Sequence, residues 1–538
     1  MPTNHRNHQP WRLACACLIL VCSGTAEIRA QSVWNGGTGN WSTAADWLPA
    51  VTPVSGTTTA LTFGGSTSYT ATDDVTGTFQ FNSLLFNNTA GTATLAGNAL
   101  NALNALNALN AVNPLNGNTV LPTIALTGAG SATITSAMTW SGETTVTNSG
   151  SGTLLFNGSQ TFNNGTKQTV TNSGTGTITF ADAIAYANSG GANGGLVLNL
   201  INNNSTAGSF NVGNLGALGN GTNFFYLNVG GTGTVKFSGS TSGDLFGNNA
   251  ILIVQSGATF DFNGNGETMG GIAGAGTIAM TSTASITPTL AGYYVFSGKL
   301  TGSGALAVNA ASDTLVLSGS TSTYTGATSV LGGTIIVSAN APSGSAGALG
   351  NASSSVLVGA TSGAVSATLM MDTAGVTIGR NILLQSGNTG TATLGGLNST
   401  GTVTYGGSIT LGTASAAAKG LTVFSTSGGT VLFTGSLLRA ASATGTTDTL
   451  TLTGSGTVTL QGSGDTFTGA TTVSGGTLVL DHTVSNTAKL SSSAGLTLNG
   501  GSLSLSGSST AASTQAVSGL IPCSVKNGSC PQPEIAFT

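Results

Sequence analysis

The 538-residue chain has 5% charged residues, a net charge of −4, 83 glycines and only 11 prolines. This composition excludes collagen and Pro-rich linkers, and the 39% hydrophobic content is too high for a disordered chain. The eleven basic residues are spread out and form no stripe for phosphates, so no nucleic acid is expected as a partner. Thr, Ser and Asn supply the polar positions while Glu, Lys and Arg are scarce, which predicts an all-β chain.

Residues 1–30 have the pattern of an export signal. A polar segment with two arginines precedes the apolar core "LACACLILVCSG", and "IRA" then predicts cleavage near Ala30. The core is shorter than the ~20 residues that span a bilayer. Lipid attachment at Cys22 is an alternative, but Val21 stands where a small residue is expected. The sequence therefore predicts a protein that is secreted or displayed on the bacterial outer surface.

Residues 31–125 form an N-terminal region that is rich in Trp and contains a low-complexity run. Trp34, Trp41 and Trp47 are predicted to cap the open apolar end of a coil, and stacking on sugars is the alternative. The run "NALNALNALNALNAVNPLNG", residues 98–117, has a period of three that fits neither a helix stripe nor a strand face. We expect it to form a lateral loop, and a stacked coil or a short helix is the alternative.

Residues 126–507 contain repeats at a period of about 24. The stretch "TVTNSGSGTLLF", residues 145–156, returns at an offset of 24 as "TVTNSGTGTITF", residues 169–180. Near the end of the region "VSGGTLVL" from Val473 returns at an offset of 25 as "LNGGSLSL" from Leu498. Periods of this size indicate solenoids, propellers or arrays of small units, and they argue against separate globular domains.

Each unit contains short strands in which apolar and polar residues alternate, separated by Gly-Gly, Asn-Gly or Ser-Gly. A meander of hairpins would also show this alternation. A coil is favoured because a unit that repeats in register stacks identical strands as neighbours, with one rung for each circuit. We therefore expect Val146 to stack on Val170, and Phe156 on Phe180, on the buried side of adjacent rungs.

The longest repeat is the pair Asp313–Val337 and Gly456–Leu480, here named copy 1 and copy 2. Thirteen of their 25 positions are identical, and the exchanges mostly keep volume and apolarity. Both contain a Gly-Gly pair before the last strand, which suits a bend with positive φ. The same local shape, without helix, is therefore predicted for Val330–Val337 and Val473–Leu480, on different rungs.

Copies 1 and 2 resemble the autotransporter-associated β-strand repeat of bacterial secreted proteins. The stretch "VQSGATFDFNGNGETMGGIAGAGTI" from Val254 and the opening "VWNGGTGNWSTAADW" are similar to other segments of such proteins. The resemblance implies a right-handed parallel β-helix passenger that is exported to the cell surface, commonly for adhesion. Full-length autotransporters end in a membrane β-barrel. No such strands are predicted after Gly507, so any membrane anchor is expected outside this chain.

The predicted fold is an all-β, right-handed parallel β-helix (β-solenoid), in which the sequence period gives about 24 residues per rung. The predicted division is a signal peptide at 1–30, the capping region at 31–125, the solenoid at 126–507 and a tail at 508–538. An exported chain meets an oxidising compartment, so Cys523 and Cys530 in the tail are expected to form a disulfide that closes a short loop.

Few residues suit catalysis or metal binding. Asp481 and His482 would need a distant Ser to complete a triad, and an isolated polar position at a rung edge is the favoured interpretation. Adjacent Asp73 and Asp74 should point to opposite sides of a strand, which is unsuitable for a glycosidase pair. The stretch "DFNGNG", residues 261–266, imitates the start of a calcium loop but lacks the later carboxylate, which favours an Asn-Gly turn.

The sequence therefore predicts a secreted or cell-surface passenger with an adhesive or structural role, without catalysis, cofactor or metal. A polysaccharide-acting β-helix enzyme, either a lyase or a glycoside hydrolase, is one alternative, and an architectural surface-layer component is the other. The expected partners are glycans, host or neighbouring cells, or further copies of the chain. Contact with a membrane is expected only through an anchor outside the chain.

Overall fold

The computed structural model describes residues 31–103, 121–163, 166–187, 196–215, 225–238, 245, 247–286, 292–413, 419–440, 448–509, 512–521 and 535–537. These residues form an all-β, right-handed parallel solenoid, as predicted. They include one helical element, a short 3₁₀ turn at Ala44–Asp46, and none of them forms a helix long and apolar enough to cross a membrane. The export signal, most of the low-complexity run, Cys523 and Cys530 lie outside the described residues.

The strands are short, as expected for a coil that bends several times per circuit. Those up to residue 212 are β1 (Gln31–Trp34), β2 (Gly39–Asn40), β3 (Trp47–Leu48), β4 (Ala60–Phe63), β5 (Tyr69–Asp73), β6 (Phe79–Phe81), β7 (Ser83–Phe86), β8 (Thr92–Gly97), β9 (Leu100–Ala102), β10 (Thr123–Leu126), β11 (Ser131–Ile134), β12 (Met138–Trp140), β13 (Thr145–Asn148), β14 (Thr153–Phe156), β15 (Gln160–Asn163), β16 (Lys167–Asn172), β17 (Thr177–Phe180), β18 (Ile184–Ala187), β19 (Leu196–Asn202) and β20 (Phe210–Val212).

The middle of the chain contains the two longest strands, β31 and β32. The strands here are β21 (Phe225–Gly231), β22 (Thr234–Phe237), β23 (Ala250–Val254), β24 (Thr259–Asp261), β25 (Glu267–Met269), β26 (Gly271–Gly274), β27 (Thr277–Ala279), β28 (Ala284–Ile286), β29 (Tyr293–Phe296), β30 (Lys299–Thr301), β31 (Leu306–Leu317), β32 (Thr328–Val337), β33 (Val356–Val358) and β34 (Ala367–Met371).

The C-terminal part returns to short strands. They are β35 (Thr377–Ile378), β36 (Ile382–Leu384), β37 (Ala392–Gly396), β38 (Thr402–Tyr405), β39 (Ile409–Leu411), β40 (Leu421–Ser425), β41 (Thr430–Phe433), β42 (Leu437–Arg439), β43 (Leu450–Gly454), β44 (Thr457–Leu460), β45 (Thr471–Val473), β46 (Thr477–Asp481), β47 (Gly495–Leu498), β48 (Ser502–Ser506), β49 (Gly519–Ile521) and β50 (Ile535–Phe537).

The strands stack in parallel to form three faces, which the chain visits in the order 1, 2, 3. Face 1 is one continuous ladder through β1, β4, β7, β10, β13, β16, β19, β21, β23, β26, β29, the second halves of β31 and β32, β34, β37, β40, β43, β45, β47 and β49.

In the part of the chain that the structure describes, faces 2 and 3 each consist of two ladders. Face 2 comprises β2, β5, β8, β11, β14, β17, β20, β22, β24, β27 and β30, then β35, β38, β41, β44, β46, β48 and β50. Face 3 comprises β6, β9, β12, β15 and β18, then β25, β28, the first halves of β31 and β32, β33, β36, β39 and β42.

The register predicted from the 24-residue repeat is confirmed. Val146 pairs with Val170 and Phe156 pairs with Phe180 in adjacent rungs, and all four side chains are buried. The two Phe rings stack with centroids 4.5 Å apart and planes 5° apart. Burying one such side chain contributes roughly 1.5–3 kcal/mol, so the stacked interior dominates the stability of the coil.

Rung length varies around the predicted value because bends differ in length while strands keep their register. Val170 pairs with Leu200, 30 residues later, whereas Leu315 pairs with Ile335, 20 residues later. Extra residues lengthen the bends at the surface, where loop length costs little free energy. The interior therefore remains continuous despite uneven spacing in the sequence.

The three N-terminal Trp side chains close the first rung. Trp34, Trp41 and Trp47 are buried, and Trp47 Nε1 donates to the Trp41 carbonyl oxygen at 3.1 Å. Strand β3 pairs antiparallel with β1 and covers the edge that the first parallel strand would expose. The three Trp rings pack against one another and against Phe63, so they are not exposed to solvent and cannot stack on sugars.

Copies 1 and 2 have the same local course but lie on different faces. Copy 1 leaves face 1 in β31, passes over face 2 and face 3, and returns to face 1 in β32, whereas copy 2 runs from face 2 in β44 to face 1 in β45 and back to face 2 in β46. Both contain the predicted strand–bend–strand shape without helix. They differ in that β32 is continuous, while copy 2 is divided into β45 and β46.

Candidate functional site: a corner groove

The bends between face 1 and face 2 form an open groove of about 580 Å³ across four successive rungs. Its floor is a column of glycines on the first three rungs, Gly128, Gly150 and Gly174, and Asn204 takes this position on the fourth. A Cβ atom on Gly150 would lie 1.9 Å from the Gly128 carbonyl oxygen, and one on Gly174 would lie 2.1 Å from the Gly150 oxygen. Because no side chain fits these positions, the groove is open down to the backbone.

Two rows of small, exposed residues form the walls of this corner groove. One row is Thr127, Ser149, Ser173 and Asn203, and the other is Ala129, Ser151, Thr175 and Ser205. With rungs about 4.8 Å apart, the four bends extend over roughly 14 Å along the axis. The groove therefore presents hydroxyl and amide groups in a regular array.

A ladder of buried Asn side chains holds these bends. Asn148, Asn172 and Asn202 pair in successive strands of face 1 and are fully buried. Asn148 Nδ2 donates to the carbonyl oxygens of Gly152 and Thr177, both at 2.9 Å. Asn172 and Asn202 make corresponding bonds to carbonyls across the same corner. These bonds from buried amide groups fix the bends, so the groove has a defined shape, although Asn172 Oδ1 accepts no hydrogen bond within the described chain.

The groove lining contains no ionisable side chain. Hydroxyl and amide groups donate and accept hydrogen bonds but do not exchange protons near neutral pH. The arrangement suits contact with uncharged, hydroxyl-rich molecules, and it provides neither a general acid nor a general base.

His482 and Asp481 do not assemble a catalytic triad. His482 is 1% exposed, and neither ring nitrogen has a hydrogen-bond partner in the described part of the chain. Asp481 instead accepts bonds from Gln461 Nε2 at 2.8 Å and from the Thr483 hydroxyl at 2.6 Å. His482 directly follows β46, and its ring is buried rather than solvent-exposed.

Asp73 and Asp74 point to opposite sides of the chain, as predicted. Asp73 is buried, whereas Asp74 is exposed and accepts from the Ser42 hydroxyl at 2.6 Å. Burial raises the pKa of Asp73 to about 6. The two carboxyl groups therefore do not form a catalytic pair.

The stretch 261–266 forms a turn rather than a calcium loop. Asp261 Oδ1 accepts from the Asn263 backbone N–H at 2.8 Å, and Asn263 and Gly264 have φ of 50° and 89°. Among the described residues, no three His, Cys, Asp or Glu side chains lie together as a metal site would require.

Three carboxylates, which the sequence did not reveal, serve as acceptors for backbone N–H groups; Asp313 and Asp448 are buried and Asp465 is half-buried. Asp313 accepts from Gly292 at 2.6 Å, Asp465 from Leu437 at 2.6 Å, and Asp448 from Thr468 at 2.5 Å. Each bond crosses between neighbouring rungs. These side chains therefore join one rung to the next.

Two segments match the family model described as Passenger-associated-transport-repeat. They are residues 312–337 and 450–480, which contain copies 1 and 2. The resemblance predicted from these residues is confirmed. A search of curated proteins and a search of solved structures gave no match. Passenger-type repeats on a β-solenoid fit the passenger domain of a secreted or surface protein.

The first passenger-type repeat lies against a buried cation that the sequence alone did not indicate. Arg380 is fully buried beneath copy 1 and donates to the Leu349 oxygen at 2.6 Å, the Ser354 oxygen at 2.8 Å and Thr328 Oγ1 at 2.9 Å. Tyr324 shares Thr328 Oγ1 at 2.7 Å, and burial raises the pKa of Tyr324 to about 12. Arg380 therefore ties the long bend after copy 1 to the coil.

Proposed function

We propose that this solenoid is an adhesive passenger that binds uncharged, hydroxyl-rich polymers, such as glycans on neighbouring cells, without transforming them. The observation that carries the proposal is the corner groove, whose two polar walls repeat from rung to rung above a glycine floor. A linear polymer placed along the axis meets a similar set of small polar groups at each of the four rungs, with two hydroxyls on each of the middle two. Each contact is weak, and several engaged together give useful avidity.

The absence of catalysis in this proposal is supported by how the described carboxylates are used. Asp73, Asp313, Asp448 and Asp465 lie at separate places and each accepts a backbone hydrogen bond. A glycosidase needs two carboxyl groups across one bond, about 5–10 Å apart in an accessible cleft. The corner groove contains none.

The export that this function requires is supported by the passenger-type repeats and by the predicted signal at residues 1–30. Cleavage near Ala30 and the Cys523–Cys530 disulfide remain predictions. Mass spectrometry of the exported, unreduced protein checks both, by its new N-terminus and by a linked Cys peptide.

The test is co-sedimentation of the protein with insoluble xylan and chitin, and affinity electrophoresis in pectin and alginate. Ser151→Gln and Thr175→Gln place longer neutral side chains over the groove and should weaken retention at least several-fold. Ser362→Gln is the matched control, because Ser362 is exposed in a bend outside the groove. Equal retention of all variants would reject the groove as the binding site.

The same samples test the alternative of a polysaccharide-acting enzyme. The proposal expects no soluble oligosaccharide after prolonged incubation. Release of oligosaccharides would reject the adhesive proposal and support the enzyme, provided that substitution of one carboxylate abolishes the release. If no polymer is retained but ordered two-dimensional arrays form on a surface, the architectural alternative is supported instead.

A further inference from the structure

The C-terminal rungs contain a buried imidazole that the proposed function does not use. His482 directly follows β46, and its backbone N–H donates to the Ser506 carbonyl oxygen at 2.8 Å. The side chain is 1% exposed, and both ring nitrogens lack hydrogen-bond partners among the described residues. Burial disfavours the charged imidazolium, since no acceptor there compensates for the loss of water. The closed structure therefore holds the ring in its neutral form.

A buried lysine lies in the same segment and adds to this effect. Lys489 is fully buried, and its Nζ donates to the carbonyl oxygens of Gly462 at 2.6 Å, Ser485 at 3.0 Å and Gln461 at 3.3 Å. Burial lowers the pKa of Lys489, and the negative charges of Asp465 and Asp481 oppose this effect. Burial first, and then the positive charge of Lys489, lower the pKa of His482, while Asp481 partly opposes them.

Two carboxyl groups complete the set of charges at this place. Burial acts to raise the pKa of Asp481, but hydrogen bonds from Thr483 and Gln461 and the charge of Lys489 together lower it. Asp465 lies in copy 2, and burial raises its pKa to about 6. One of its oxygens accepts from the Leu437 N–H, and the other has no partner within the described chain. Asp465 therefore titrates in the same pH range as a free imidazole, with the opposite effect on stability.

The segment 482–490 also holds the last part of the coil. Asn486 Nδ2 donates to the Ala512 carbonyl oxygen at 2.9 Å, and the backbone N–H of Lys489 donates to Gln515 Oε1 at 2.7 Å. Gln515 Nε2 donates in return to the Leu490 carbonyl oxygen. Release of the segment would therefore loosen the residues that precede β49.

We propose that residues 482–490 form an acid-sensitive latch, which is closed at neutral pH and opens on acidification because His482 can take up a proton only after leaving its buried position. Opening frees the chain before β49 and exposes the edges of the last rungs. The latch would thus make the C-terminal end of the solenoid respond to the pH outside the cell.

The direction and size of the effect follow from linkage. A group whose pKa is lowered in the closed state favours opening as the pH falls below its free value of 6.5. Between pH 7.5 and 5.5, His482 alone increases the opening equilibrium by at most about tenfold. Asp465, raised from 3.8 to about 6, favours the closed state by about fourfold over the same interval. The net increase expected for the unmodified protein is about two- to threefold.

Hydrogen exchange of the full chain at pH 7.5 and 5.5, corrected for intrinsic exchange rates, tests the latch. In peptides covering residues 482–490, acidification should increase opening about twofold in the unmodified protein and about tenfold in Asp465→Ser. In His482→Leu, which replaces an unpartnered buried ring by an apolar side chain, acidification should instead protect the segment. Peptides from residues 145–156 serve as the internal reference.

A second measurement follows the imidazole itself by NMR, with its signal assigned by its loss in His482→Leu. The proposal expects protonation of His482 and exchange of residues 482–490 to share one midpoint below pH 6.5. Protonation of the ring without faster exchange would overturn the latch. So would the same acid response in His482→Leu as in the unmodified protein.

Discussion

Copies 1 and 2 show that a repeated sequence can specify the length and bends of one turn of the coil without specifying the face on which that turn begins. Leu315 pairs with Ile335 in copy 1, and Val458 pairs with Leu478 in copy 2, so the two copies close their circuits over the same length of chain. The circuit starts on face 1 in copy 1 and on face 2 in copy 2. The repeat therefore specifies bends and strand lengths, while the preceding rungs decide which face it occupies.

Corresponding residues make the same contacts although they meet different faces. The Thr323 N–H donates to the Leu300 carbonyl oxygen at 2.8 Å, and the Thr466 N–H donates to that of Leu437 at 2.9 Å. The two copies differ one position earlier. Ser322 Oγ accepts from the Leu300 N–H, whereas the Asp465 carboxyl accepts from the Leu437 N–H. Copy 1 thus makes this bond with a neutral group, and copy 2 with a titratable one.

The largest effect is expected at the glycine of the shared "TGAT" bend. A Cβ on Gly326 would lie 2.2 Å from the Gly304 carbonyl oxygen, and one on Gly469 would lie 2.6 Å from the Asp448 carbonyl. Gly326→Ala and Gly469→Ala should each lower the free energy of unfolding by about 3 kcal/mol or more, since backbone must move. Urea unfolding measures the loss, and Gly37→Ala, where nothing lies within 4 Å, is the control. A loss of unfolding free energy in only one of the two variants would show that the two bends are not structurally equivalent.

The second prediction concerns pH and separates the copies. The pKa of Asp465 is raised to about 6, so its contribution to stability is fully present below pH 3.8 and is lost as the pH rises through 6. In a His482→Leu background, which removes the opposing imidazole, copy 2 should gain at most about 3 kcal/mol between pH 7 and pH 4. Hydrogen exchange of peptides containing Asp465 measures the gain. Asp465→Ser should abolish it, and peptides containing Ser322 should show no such gain from this position.

The third prediction tests the buried cation beneath copy 1. Arg380→Met removes the donors to Leu349, Ser354 and Thr328 and should cost roughly 2 kcal/mol, because buried acceptors lose charged partners. Arg439→Met, beside copy 2, is the control, since Arg439 is only half-buried and bonds Thr468. Its cost should remain below about 1 kcal/mol. Equal losses in urea unfolding would show that burial of Arg380 adds nothing.

The smallest effect is expected at a glycine that is required only by its own backbone conformation. Gly344, in the bend after copy 1, has φ of 69°, a region that disfavours residues with a Cβ, and nothing lies within 4 Å of a Cβ built there. Gly344→Ala should therefore cost about 1 kcal/mol, because the strain is local. Gly476 in copy 2 has a similar φ of 66°, but a Cβ there would lie 2.2 Å from the Gly456 carbonyl oxygen, so Gly476→Ala should cost more. Equal losses for the two variants in urea unfolding would show that the contact with Gly456 adds nothing.

Much of the fold could be predicted because its signals are local. Alternation of apolar and polar residues identified the strands. The repeat of residues 145–156 at an offset of 24 predicted the pairing of Val146 with Val170. The corner groove was harder to foresee. Its signal was the Gly between small polar residues in "NSGSG" and "NSGTG", but the groove exists only because successive bends stack into a column. Likewise, the Asn ladder is visible as a buried network only once the rungs are in register.

The sequence by itself determined that the chain coils, where it bends and which side chains point inward, because strand alternation and glycine conformations depend on near neighbours. The tertiary structure decided which face each repeat occupies, since that depends on the summed lengths of all preceding bends. It also decided the burial of Arg380 and His482. The hydrogen-bond partners of Arg380 are Thr328, Leu349 and Ser354, which lie in earlier segments of the chain. Such surroundings set the cost of burying a polar group, and near neighbours in the sequence do not reveal them.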